Sequence, residues 1–151
     1  MFERESTKIS VMDIPKSFDI FPIGYVHSTL KERSDAPRQG WEDGPDARLE
    51  IHPDFVLGLE GIEPGHDILI FTWLHESQRS VLKVHPRGDR NNPRMGVFAT
   101  RSPDRPNPIG LHRVKVLSVD GEGRLQVRGL EAIDGTPIVD IKPVLERRCD
   151  F

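Results

Sequence analysis

Short runs in which apolar and polar residues alternate, each cut off by glycine or proline, constrain this chain more than any other feature. Period-two alternation places successive side chains on opposite faces of a strand, so one face can be buried and the other wetted. "IFPIGYVHS" (20–28) and "ARLEIH" (47–52) follow that rhythm, and "DILIFTWLHE" (67–76) predicts a strong buried strand with Trp73 in the core. "VLKVHP" (81–86) and "GVFAT" (96–100) are shorter candidates, and "TPIVDIKP" (136–143) supplies a last strand. "LHRVKVLSVDGEGRLQVRGL" (111–130) reads as two strands joined by a turn from Asp120 to Gly123. "PDFVLGLEGIEPG" (53–65) predicts a short helix opened by Pro53 and ended by glycine and Pro64. Seven or so short strands predict an all-β fold, a single small β-barrel-like domain with short helical turns. Thirteen glycines and thirteen prolines suit it, and no long helix is available for a doubly wound α/β fold. Within 151 residues, 1–17 read as a polar arm and 18–151 as the barrel domain.

Several chemistries are excluded. There is no G-x-G-x-x-G fingerprint, no G-x-x-x-x-G-K-[ST] phosphate loop and no G-x-S-x-G elbow. Six histidines without H-x-x-H or H-E-x-x-H spacing, and a single cysteine, Cys149, predict no metal site. One cysteine and no apolar leader or span predict a cytoplasmic chain that leaves membranes alone. The net charge is −3, yet residues 83 to 115 carry eight basic side chains against two acidic ones. A local basic stripe on an acidic body suits an anionic ligand docking at one place.

"GVFATRSPDRPNPIGLHRV" (96–114) lies inside that stripe. Pro103, Pro106 and Pro108 stiffen it and remove N–H donors, while Arg101, Arg105 and Asn107 supply hydrogen-bonding groups. A plain strand connection needs none of this. "MGVFATRSPDRPNPIGL" (95–111) closely resembles the signature of the TsaA/TrmO-like family, S-adenosylmethionine-dependent tRNA methyltransferases. "PIGYVHS" (22–28), "PRQ" (37–39), "GLEGI" (58–62) and "DGTPIVDIKP" (134–143) resemble its other landmarks in order, from about Phe21 to Pro143. Three positions depart from the usual pattern: Glu76 replaces a glutamine after His75, Asp104 replaces an aromatic, and Val144 follows "DIKP" in place of tyrosine.

The resemblance implies a dimeric β-barrel that binds S-adenosylmethionine and methylates N6 of threonylcarbamoyl-adenosine, beside the anticodon of threonine tRNA. By motif match, cofactor contacts fall on Gln39, Gly40, Trp41, His75, Glu76, Arg101, Leu111, Asp134, Gly135, Thr136 and Pro137. Arg101 can fork onto a carboxylate, and Trp41 can stack on a base or meet a cation. Methyl transfer to a conjugated N–H needs a proton acceptor; Asp140 is the first candidate, with Glu76 and Asp134 behind it, and Lys142 is its possible salt-bridge partner. Arg87, Arg90, Arg94 and Arg105 are the candidates for tRNA phosphates. The competing expectation is a cofactor-binding module whose substrate is different or lost.

Overall fold

The computed structural model describes residues 16–36 and 44–145. Six strands close into an antiparallel barrel: β1 (Gly24–His27), β2 (Ala47–Ile51), β3 (Asp67–Trp73), β6 (Ile109–Val119), β7 (Arg124–Arg128) and β8 (Pro137–Pro143). Their order around it is β1-β2-β7-β6-β3-β8. Closure leaves no edge strand unpaired, which is how a small sheet avoids exposing ladder donors and acceptors. The two remaining strands, β4 (Lys83–Val84) and β5 (Met95–Gly96), pair with each other as a separate hairpin.

The alternation read from the sequence is the burial pattern. β2 buries Ala47, Leu49 and Ile51 and exposes Arg48 and Glu50; β3 buries Ile68, Ile70 and Thr72. With Val26, Val114, Val116, Leu125, Val127 and Ile138 these residues fill the barrel interior. The β6–β7 turn follows from Asp120, whose Oδ1 accepts from the Glu122 and Arg124 amides at 2.9 Å each. Gly123 completes it at φ 93°, a left-handed conformation that favours glycine. The segment from Pro53 to Leu59 is a 3₁₀ helix, with His52 Nδ1 accepting from the Asp54 amide.

Two expectations need correction. "GVFAT" is not a strand: only Met95–Gly96 pairs, and Val97–Ala99 forms a 3₁₀ turn. The Thr100 amide and hydroxyl both donate to the Val97 carbonyl, at 3.1 and 2.9 Å, which closes the turn before the proline-rich loop begins. Trp73 is only partly buried; it stands at the end of β3 with the Arg79 guanidinium 5.2 Å from its ring centre.

The basic stripe divides between the two ends of the barrel. At one end Arg113 and Lys115 both reach Asp67, at 2.8 and 2.9 Å, and hold its carboxyl below the usual range. Arg87, Arg90, Arg101 and Arg105 come together at the other end, where β3 stops and β6 and β8 begin.

Candidate functional site

The loop between Thr100 and Ile109 is built by its own side chains. Arg105 folds back and donates to three carbonyls, those of Ser102 (2.7 Å), Val97 (2.9 Å) and Thr100 (2.7 Å). Asp104 accepts both Arg33 nitrogens at 2.9 Å and the Gln78 amide at 2.9 Å. Arg79 reaches the Pro106 carbonyl and Asn107, and the Leu74 amide takes the Pro108 carbonyl. Two of the three proline carbonyls are therefore already occupied within the protein. The loop is rigid because its ends and middle are each tied to a different neighbour.

The tether at Asp104 is pH-sensitive in a defined direction. The Arg33 guanidinium holds that carboxyl below its ordinary value of 3.8. A depressed folded-state value adds stability above the unfolded value, and that stability is lost as pH falls through the folded one. The Gln78 and Arg105 amide resonances are expected to move together in one titration centred below 3.8, absent in Asp104→Asn; a midpoint above 3.8 would refute the tether.

Beside this loop lies a cleft of about 1200 Å³, walled by the loop, the ends of β3 and β6, the β4–β5 hairpin region, residues 131–133 and Thr136. Arg101 lines it and is exposed, with no hydrogen-bond or ion-pair partner among the described residues. The contrast with Arg105 is clear: Arg105 ties the loop together, whereas Arg101 faces the cleft without a partner among the described residues. Leu111, 38% exposed, adds an apolar surface.

The cleft floor holds a group the sequence reading missed. His112 is buried on the inner face of β6, with Nε2 2.7 Å from Thr72 Oγ1 and Nδ1 2.7 Å from Glu131 Oε1. Both His112 and Glu131 line the cleft. Gly110 makes the arrangement possible, because a Cβ there would collide with Thr72 Oγ1 and lie 2.7 Å from His112 Nε2. A signal was available: alternation puts His112 on the face of Val114 and Val116, an apolar interior where a histidine needs a partner.

Of the expected cofactor contacts, His75, Glu76, Arg101, Leu111 and Thr136 line the cleft together. Asp134, Gly135 and Pro137 flank Thr136 in a turn pinned to β1 through the Gly135 amide and Val26 carbonyl. Asp134 is engaged elsewhere: Lys31 and the Ser28 amide hold it, and the lysine keeps its carboxyl low. Gln39, Gly40 and Trp41 lie outside the described residues, as does Cys149. Asp140 is not brought to the cleft; it pairs beside Phe71, half exposed, with Lys142 Nζ at 3.1 Å. Of the four arginines expected to meet phosphates, Arg87, Arg90 and Arg105 line the cleft, although Arg105 spends its donors on loop carbonyls, and Arg94 donates to the Lys83 carbonyl at 3.5 Å. Among the described residues no helix is long and apolar enough to cross a membrane.

Comparison with known proteins agrees with this architecture. The family model described as the tRNA-methyltransferase O N-terminal domain matches residues 25–150. A protein of Archaeoglobus fulgidus named "S-adenosyl-L-methionine-binding protein" is 44% identical over 121 residues, covering 80% of this chain and 85% of its own length. One from Methanothermobacter thermautotrophicus, named "Probable S-adenosyl-L-methionine-binding protein", is 46% identical over 127 residues, 84% of this chain and 90% of that one. The crystal structure of TrmO from Pseudomonas aeruginosa superposes with a TM-score of 0.69 at 32% identity over 85% of this chain. The chain spans 56% of the length of that structure.

Proposed function

The chain belongs to the family of the tRNA-methyltransferase O N-terminal domain, and from that premise we propose that its cleft binds S-adenosylmethionine and transfers the methyl group to tRNA. The acceptor we assign is N6 of threonylcarbamoyl-adenosine next to the anticodon of threonine tRNA. The observation that carries the reading is Arg101, an exposed guanidinium with no partner among the described residues, on the wall of a cleft large enough for a nucleoside-sized ligand.

The residues fit that cofactor. Arg101 offers two parallel donors to its carboxylate. Leu111 and the Thr136 turn supply the apolar and backbone surfaces an adenosine needs, and His75 and Glu76 stand at the mouth. The bound cofactor supplies an electrophilic methyl group whose leaving sulfur needs no protonation, so what the protein must do is position the reactants and remove a proton. Arg87 and Arg90, on the same cleft, are the groups we place against phosphates. The exposed Met95, Phe98 and Ile109 lining the cleft form the face on which we place a second copy of the chain, with sedimentation as the check. The lone Cys149 suits a cytoplasmic protein.

Calorimetry with S-adenosylmethionine tests the pocket: no heat at high cofactor concentration would remove it. Incubation with methyl-labelled cofactor and tRNA from cells having or lacking the threonylcarbamoyl group tests the acceptor. Label that appears regardless of that group would refute the assigned nucleoside. Heat without transfer to any tRNA would select the second reading, a cofactor-binding module, which the names of the relatives support.

A further inference from the structure

The buried chain Thr72–His112–Glu131 ends in a carboxylate at the cleft to which cofactor binding assigns no part. We propose that Glu131 is the catalytic base of this cleft, taking the proton of the acceptor N–H, and that His112 is the positioning residue that aims it. This deepens the methyltransferase reading and rests on it.

The hydroxyl–imidazole–carboxylate order resembles a nucleophilic triad, but Thr72 is 0% exposed and no substrate can reach its hydroxyl. The accessible end of the chain is the carboxylate. Hydrogen-bond bookkeeping sets the proton positions. Among the described residues Thr72 Oγ1 has His112 Nε2 as its one side-chain partner, so the hydroxyl is satisfied when it donates to a bare Nε2. The imidazole proton then sits on Nδ1 and is donated to Glu131 Oε1 at 2.7 Å. One carboxylate oxygen is thereby fixed, and the other remains for the cleft. The Glu131 side chain is 11% exposed and that of His112 is 5% exposed, so the pair works largely shielded from water.

Other acids are engaged or badly placed. The described carboxylates lining the cleft are Glu76, Asp104 and Glu131. Asp104 is tied to the Arg33 guanidinium, which makes it a poor proton acceptor. Glu76 is exposed at the mouth. Asp140 and Asp134 are held by Lys142 and Lys31. A role for Glu131 as anchor of the sulfonium charge is disfavoured on energetic grounds, because that charge vanishes as the methyl leaves and stabilising it would slow the step.

The step balances as follows. Glu131 takes the proton from the acceptor nitrogen, and the nitrogen's electron pair forms the bond to the methyl carbon. The carbon–sulfur bond breaks with its pair left on sulfur, giving a neutral thioether. Glu131 returns the proton to solvent once the cleft opens.

Three measurements test it. Nitrogen NMR of His112 in the cofactor-free chain should show the proton on Nδ1 and a bare Nε2; a proton on Nε2 would overturn the geometry. Glu131→Gln should keep the cofactor Kd within about threefold while kcat falls about 10²- to 10⁴-fold, the range for losing a general base. Glu131→Asp, which keeps the charge and guards against misfolding, should retain that affinity with a smaller loss. Added formate should restore part of the rate to Glu131→Ala and none to the wild type, a response that a merely structural carboxylate would not give. Wild-type kcat in Glu131→Gln, or a loss of cofactor affinity matching the loss of rate, removes Glu131 as base and leaves the enzyme reading standing. Cofactor heat with no transfer in the wild type removes that reading itself, and the base with it.

Discussion

Gly110→Ala is expected to lower the unfolding free energy by about 2–5 kcal/mol, combining overpacking of a filled interior with the loss of a buried hydrogen bond. The added carbon would run into Thr72 Oγ1, sit 2.7 Å from His112 Nε2 and 3.1 Å from Leu74 Cδ2. Neither of the first two can retreat. Thr72 is locked in β3 opposite Gly110, and His112 is held at its far nitrogen by Glu131. Against a total of about 5–15 kcal/mol, such a loss is large, and a fall in Tm of about 4–20 °C follows for a domain of this size. Thermal unfolding followed by circular dichroism checks it. Gly96→Ala is the control, since nothing lies within 4 Å of a Cβ there, and its Tm should stay within about 2 °C. Adding Thr72→Ala to Gly110→Ala removes the worst collision and should recover part of the loss. A Gly110→Ala protein as stable as the parent would mean that Thr72 and His112 do not meet across this glycine.

The barrel was legible because its strands are wet on one face only. Ala47, Leu49 and Ile51 in β2, or Val114 and Val116 in β6, can face only inward, and the turn at Asp120 fixes where the chain reverses. The same rule failed at Val97, Phe98 and Ala99. Val97 is 1% exposed and Phe98 80% exposed, as a strand would leave them, but the Thr100 hydroxyl bends the backbone into a 3₁₀ turn. Alternation reports burial, and two local backbone geometries can deliver the same burial. The site was legible as a place and not as an assembly. His75, Arg101, Leu111 and Thr136 do converge. Asp140 was singled out for its charge, which says nothing of its direction, and Lys142 on the same strand claims it. Glu131 and His112 are 19 residues apart and belong to no common motif, so only the folded barrel brings their side chains to 2.7 Å.

Arg101 and Arg105 stand four residues apart in one loop, and their alanine variants are expected to fail in different ways. Arg101→Ala should leave Tm within about 1 °C of the parent, since the side chain is exposed and bonds to no described residue. Its cofactor Kd should rise about 10- to 100-fold, the usual worth of a forked, charge-assisted contact. Arg105→Ala removes three N–H donors from the carbonyls of Val97, Thr100 and Ser102, of which the Val97 carbonyl keeps the Thr100 hydroxyl as a donor. Hydrogen exchange at Thr100 and Ser102 should therefore quicken, and cofactor affinity should fall as well, because Arg101 is carried by the backbone that Arg105 braces. Lysine substitution separates the two further. Arg101→Lys keeps a charge at the mouth and should retain part of the affinity. A single ammonium on a flexible stem cannot span three carbonyls fixed for a planar fork, so Arg105→Lys should behave like Arg105→Ala. If Arg105→Lys is as rigid and as tight as the parent, the loop is held by its prolines alone; if Arg101→Ala binds the cofactor as well as the parent, the Arg101 guanidinium does not hold the cofactor. The exchange rates and the binding heats are independent readouts, so either failure can be seen without the other.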